Sequence, residues 1–196
     1  MNTSVICKPA AAVVLALCGL VGLVGLPAAA QTAPPEPTLS AALQDKTAVG
    51  KARLRYWGFD VYDASLWAKP GFDIGRFETQ RFGLELAYLR DFKGGDIAER
   101  SIGEMKDLAP IDPAQATRWT QAMSALFPDV KRGDRITGVH VPGSGARFYL
   151  NGTLLGEVAD DAFSRLFFGI WLSPKTSQPR MRETLIQGIA DAARKP

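Results

Sequence analysis

Asn151-Gly152 lies between two short β-prone runs, Ala146–Leu150 and Thr153–Val158. Both positions of the tightest hairpin turn need φ > 0, which glycine adopts freely and asparagine better than most residues, so this pair predicts a two-residue hairpin. One strand earlier, Arg135–Val141 is rich in β-branched residues and joins the hairpin through the turn Pro142-Gly143-Ser144-Gly145. After Val158, Asp160 or Asp161 is placed to cap a helix in which Phe163, Leu166, Phe167 and Ile170 follow helical spacing. Residues 128–172 therefore predict an antiparallel β-meander that opens at Pro128 and runs straight into an apolar helix.

Upstream, Thr47–Trp57 alternates Ala48, Gly50, Ala52, Leu54 and Tyr56 with Lys51, Arg53, Arg55 and Trp57, a strand with two unlike faces. Gly58 turns it, Val61–Trp67 returns, and Lys69-Pro70-Gly71 ends the pairing. Arg81–Leu89 alternates again. Asp96 and Glu99 form a D-x-x-E variant of the capping box, which predicts a helix start there. Asp112-Pro113 is a cap with proline at the first helical position, and that helix stops before Pro128. A last helix is predicted over about Pro179–Ala193. Strands, two helices, three strands and two helices make an α+β domain, an antiparallel sheet with a layer of helices on one face.

Residues 1–30 are not expected to join this fold. Lys8 supplies a weakly basic start, Ala10–Leu26 is an apolar run, and Ala28-Ala29-Ala30 is a small-residue cleavage site, the signature of a signal peptide. At seventeen residues the run sits at the lower limit for a membrane span, so a retained anchor is the plainer alternative. Leu17 beside Cys18 argues against lipid attachment. Both cysteines, Cys7 and Cys18, fall in this segment, so the processed chain is expected to hold no disulfide, thiolate nucleophile or cysteine metal site. Residues 31–45 read as a Pro-rich linker containing TAPPEP, and 46–196 as one domain. The net charge is a small +3 with basic residues interleaved among acids, which is no nucleic-acid footprint.

Few residues invite a chemical role. The single histidine, His140, lies mid-strand, and a structural role on one sheet face is the preferred reading. Gly143-Ser144-Gly145 lacks the strand-elbow-helix setting of a nucleophile and reads as a turn. Asp129/Asp134 and Asp160/Asp161 fit capping and turn roles better than acid–base work. Metal motifs, a phosphate loop and a dinucleotide fingerprint are absent, and no cofactor is expected. Arg53 and Arg55 are the positive candidates: as a solvated strand face they are ordinary, whereas at the end of an apolar cleft either guanidinium would hold a carboxylate or phenolate. Tyr62 and Tyr88 each carry a hydroxyl suited to assist an arginine, or a ring suited to the core.

The meander, its Pro-x-Gly and Asn-Gly turns, Gly156-Glu157-Val158 and the helix bearing Phe163 and Ile170 together resemble the C-terminal half of chalcone isomerase-like domains. The likeness continues through Ser177, Arg182 and Leu185, and Gly58–Trp67 resembles the family's second core strand. It spans roughly residues 46–190 and is nearest the bacterial exported branch. The resemblance implies an open-faced β-sandwich with a ligand cleft between sheet and helices, and an arginine facing the ligand at Arg53, or alternatively Arg55. It also places Asp63 where plant enzymes carry a threonine, Ile97 where they carry a tyrosine, Glu104 near an asparagine and Leu166 near a hydroxyl residue. Losing these groups removes donors that stabilise developing charge. The reading that follows is an exported, periplasmic or secreted monomer that binds an apolar or anionic small molecule such as a fatty acid, with Arg53, Arg55, Tyr62, Asp63, Tyr88 and Ile97 as candidate ligand contacts. It is expected to use neither nucleic acid nor, once processed, a membrane. The alternatives are an isomerase in which Arg53 and Asp63 act on a chalcone-like phenol, and an envelope structural protein whose cleft is filled by its own side chains.

Overall fold

Six strands pair antiparallel in chain order: β1 (Thr47–Tyr56), β2 (Phe59–Ala68), β3 (Phe82–Tyr88), β4 (Arg135–Val141), β5 (Gly145–Leu150) and β6 (Thr153–Val158). The computed structural model describes residues 38–194; the expected signal peptide, both cysteines and the TAPPEP tract lie outside the described residues. Every strand neighbours the next in sequence, and tight turns join three of the five pairings, while residues 69–81 link β2 to β3. The longest connection is β3 to β4, where α2 (Gly94–Leu108) and α3 (Pro113–Leu126) intervene. After β6 come α4 (Asp161–Leu172) and α5 (Pro179–Arg194).

The predicted Asn-Gly hairpin is present, with Asn151 at φ 50° and Gly152 at φ 88°. Asn151 also takes a hydrogen bond from the Arg135 amide (2.9 Å) and donates to Asp134 (2.9 Å), which ties the turn to the start of β4. The four flanking aspartates act as caps and turn locks. Asp160 caps α4 by accepting from the Phe163 amide (3.0 Å) and also accepts from the Trp119 indole (2.9 Å), while Asp161 accepts from the Gly143 amide (2.9 Å). Asp112 caps α3 through two amides.

The start of α2 differs from expectation. The helix begins at Gly94, and the Asp96/Glu99 box does not form. Asp129, from the approach to β4, instead accepts from the Gly94 amide (3.1 Å) and from Lys93 (2.6 Å). A Cβ on residue 94 would lie 1.9 Å from the Phe127 carbonyl oxygen, so the glycine lets α2 begin against the end of α3. Two short elements were not foreseen: a 3-10 stretch at Ile74–Thr79, and α1 (Leu39–Ala42), a helical turn capped by Thr38 within the stretch read as linker. Ala42 packs with Val139 and Tyr149 on the sheet face opposite the main core.

The main core lies between the other face and the helices. Leu66, Phe82, Phe148, Phe163, Phe168 and Leu172 are fully enclosed there. Edge-to-face ring contacts link Phe82 to Phe168 (4.9 Å) and Phe148 to both Phe127 (5.0 Å) and Phe167 (5.1 Å). No described helix is long and apolar enough to cross a membrane.

Helix α5 meets β1 backbone to backbone. A Cβ at Gly50 would fall 1.6 Å from the Leu185 carbonyl oxygen, and one at Gly188 would fall 2.1 Å from that of Val49. Gly50→Ala is therefore expected to cost about 2–3 kcal/mol, read as a lowered urea midpoint with unchanged slope.

Candidate functional site

The pleat of the first three strands sets one side of a cavity. Leu54 on β1, Tyr62 on β2, Leu86 and Tyr88 on β3 point to the same face, and Phe167, Ile170 and Trp171 of α4 approach from above. Helix α2 closes the side with Ile97, Ser101 and Glu104, one helical stripe at spacings of four and three. The cavity, open at one end, has a volume of about 590 Å³, within the range of small-molecule sites.

The lining is mainly apolar, so its few polar groups stand out. The Trp171 indole donates to the Tyr62 hydroxyl (2.9 Å), which leaves that hydroxyl's own hydrogen free to donate. Tyr88 is 4 % exposed, and its hydroxyl makes no hydrogen bond among the described residues. Burial pushes both phenols above their ordinary pKa, Tyr88 with a further contribution from Tyr62, so both keep their O–H at neutral pH. Glu104 is buried in the wall, where it takes a hydrogen bond from Ser177 (2.7 Å) and pairs with Arg100 one turn earlier on α2. Its charge is thus met from two sides, and Arg100 keeps donors to spare. Arg90 also reaches the lining; its guanidinium lies over the Phe59 ring (5.4 Å) and the Phe92 ring (5.9 Å) and forms no ion pair among the described residues.

The expectation that Arg53 or Arg55 faces the cleft is not met. Neither lines the cavity, and neither does Asp63. The strand period decides this: Leu54 points inward, so its neighbours Arg53 and Arg55 point out. Arg53 stands directly opposite Asp63 in the β1–β2 register and grips it with two hydrogen bonds (2.7 and 3.0 Å), adding one to Asp60 (2.8 Å). Arg55 bonds the other oxygen of Asp60 (2.6 Å). The hydrogen bond from Arg53 holds the Asp63 carboxyl below its usual range. Arg53 and Asp63 do converge, but outside this cavity. Of the other candidates, Tyr62, Tyr88 and Ile97 do line the cavity, as does Glu104, while Leu166 does not.

Sequence reading missed Arg90 and Arg100. Ile97, Arg100, Ser101 and Glu104 recur at three and four residues, so placing Ile97 in the cleft already carried Arg100 and Ser101 with it. Among the described residues no group of three or more His, Cys, Asp or Glu side chains is arranged to hold a metal ion.

The sequence model of the chalcone isomerase-like family matches residues 48–187, which takes in all six strands and most of the helical layer. The chain belongs to the chalcone isomerase-like family. It is 28 % identical over 138 residues to an uncharacterized protein of Haemophilus influenzae, a match covering 70 % of this chain and 66 % of that protein. The match thus spans slightly less than two thirds of that relative. Among solved structures it is similar to an Arabidopsis thaliana fatty-acid binding protein, with a TM-score of 0.61 at 13 % identity over 78 % of this chain and 92 % of the other. At that identity the likeness is one of fold.

In this chalcone isomerase-like chain His140 is structural. It is fully buried on β4 with its ring beside Phe82 (5.2 Å) and Phe168 (5.7 Å). Nε2 lies 2.9 Å from the Glu78 carbonyl, which can only accept, so Nε2 carries the hydrogen; the Ser164 hydroxyl lies 2.7 Å from Nδ1 and 3.0 Å from the Gly145 carbonyl, with one hydrogen to give between them. Burial lowers its pKa below the ordinary 6.5. The unfolded chain therefore binds a proton that the folded chain resists. This contribution to stability is complete above 6.5 and is lost as pH falls from 6.5 through the depressed folded value. Being the only histidine, it should give one imidazole resonance whose NMR titration midpoint lies below 6.5.

Proposed function

We propose that this protein is an exported member of its family that binds, without converting, an apolar small molecule with an anionic head, a fatty acid being the simplest case. The cavity carries this reading: a mainly apolar chamber of about 590 Å³ in which Tyr62 and Tyr88 hold hydroxyl hydrogens with no acceptor among the described residues. Hydroxyl donors on a mainly apolar wall favour a ligand oxygen placed to accept from them. A carboxylate has the acceptor capacity for both, and Arg90, which lines the cavity without an ion pair among the described residues, supplies positive charge not already committed to Glu104. The fatty-acid binding protein of similar fold supports the same ligand class. Conversion of a chalcone-like phenol is less favoured. Ile97 provides no donor on the cavity wall, and the Arg53–Asp63 pair stands outside it.

Export rests on the first thirty residues, with their basic start, apolar run and Ala28-Ala29-Ala30 ending. A mass matching a chain that begins at Gln31, recovered from the periplasm or medium, is the expected observation.

Native mass spectrometry of the purified chain, followed by denaturing extraction, tests the binding reading. A carboxylic acid should be released from the wild type. Tyr88→Phe should weaken fatty-acid affinity by roughly tenfold, the scale of one buried hydrogen bond to a charged group. Arg53→Ala should leave affinity unchanged. An empty wild type with no measurable affinity for long-chain acids would end this reading.

A further inference from the structure

The chain builds the same two-residue turn twice, with different residues. Asn151-Gly152 closes β5–β6 at φ 50° and 88°, and Trp57-Gly58 closes β1–β2 at φ 52° and 81°. The first position of this turn suits asparagine and is an outlier for a bulky residue. Trp57 holds it while 85 % exposed, and its ring meets only that of Tyr56 among the described residues (6.1 Å). Beside it Tyr56 is 51 % and Phe59 63 % exposed. These three are the exposed large apolar side chains of the described residues, and all sit on one hairpin tip. A strained residue and an exposed apolar cluster at one place point to an external contact.

The tip is also the rim of the cavity, for Tyr56, Trp57 and Phe59 all border it. Two arginines lie against its rings: Arg90 over Phe59 (5.4 Å) and Arg100 over Tyr56 (5.9 Å). Arg90 has no acidic partner among the described residues, and Arg100 shares Glu104 with Ser177. Asp96 is the opposing charge at this end of the lining, while Asp60 is engaged by Arg53 and Arg55. Aromatic rings with guanidinium groups just behind them match the boundary between acyl chains and anionic head groups.

The size of the patch separates a bilayer from a protein partner. Three aromatic side chains offer roughly 150–250 Å² each when wholly buried. That total stays below the roughly 800 Å² per partner of a stable protein interface. A convex hairpin end is poorly shaped for a second copy, whereas insertion into a fluid boundary needs no matching surface.

We infer that the Trp57 hairpin is a membrane-docking tip: Tyr56, Trp57 and Phe59 enter the head-group boundary of a bilayer carrying anionic lipid, Arg90 and Arg100 meet the phosphates, and the cavity mouth faces the membrane. This departs from the expectation that the processed chain has no dealings with a membrane. Its consequence for cargo rests on the fatty-acid reading, because an apolar acid would then pass between bilayer and cavity without crossing water. Docking itself does not depend on that reading.

The test is flotation of the processed chain with vesicles of phosphatidylcholine alone and of phosphatidylcholine with phosphatidylglycerol, using wild type and Trp57→Asn. Asparagine suits the turn, so the variant should match or exceed the wild type in thermal midpoint, which shows that it is folded. Wild type should float with the anionic vesicles, less so at high salt, and Trp57→Asn should bind them roughly tenfold more weakly. Wild type left at the bottom with both vesicles, or variant and wild type floating alike, would overturn the proposal. So would self-association that the variant abolishes without any vesicle binding, which would assign the tip to a second copy. Fatty-acid affinity of wild type in vesicle-free buffer is measured alongside: its absence counts against the cargo reading alone, and failed flotation against the tip alone.

Discussion

Strand register is the constraint on which the rest depends. In a meander each strand takes its alignment from the turn before it, and a slip of one residue moves every side chain to the other face. Trp57-Gly58 pairs Tyr56 with Phe59 and Arg55 with Asp60; one extra residue in β2, Val61, then shifts the register, so that Leu54 stands opposite Tyr62 and Arg53 opposite Asp63. Tyr62 then pairs with Tyr88 across β2–β3, and Leu86 with Ile136 across β3–β4. The cavity wall is the inward half of these pairs, and the ion pairs of Arg53 and Arg135 are the outward half. One alternation thus separates an apolar chamber from a charged outer face.

The helices are positioned by backbone contacts that only glycine permits and by carboxylates donated from other elements. Gly94 and Asp129 fix where α2 begins, and so where Ile97, Arg100 and Glu104 meet the cavity. Asp160 serves α4 and Trp119 at once, tying the third helix to the fourth. Glu104 reaches across to Ser177 at the approach to α5. Polar links thus join α3 to α4 and α2 to the approach to α5, while the aromatic rings between the helices and the sheet supply the apolar area.

Much of this could be read from residues alone. The two Gly-containing turns of the meander, the Asp112-Pro113 and Asp160 caps and the stop before Pro128 are local rules, and each produced the element expected of it. The structural place of His140 was equally legible from its mid-strand position. What failed was non-local. The Asp96/Glu99 spacing suggested a cap, but a competing carboxylate from residue 129 reached the helix end first, and no local pattern reports that. Arg53 was drawn toward the cleft by family resemblance, although its own alternation with Ala52 and Leu54 placed it outside. The 3-10 stretch and α1 are too short to show a period. Trp57 read as one more residue on a strand face, because exposure at a turn depends on what the remaining chain leaves uncovered.

The four tryptophans divide the molecule into separately observable regions. Trp171 lines the cavity and donates to Tyr62, Trp57 stands in solvent at the rim, Trp119 is held in the core by Asp160, and the Trp67 indole nitrogen is buried without a partner among the described residues. Indole emission responds to the polarity around the ring. Filling of the chamber and events at its mouth therefore fall on different native fluorophores, against two that stay constant, and the protein carries its own optical probes of occupancy without any attached label.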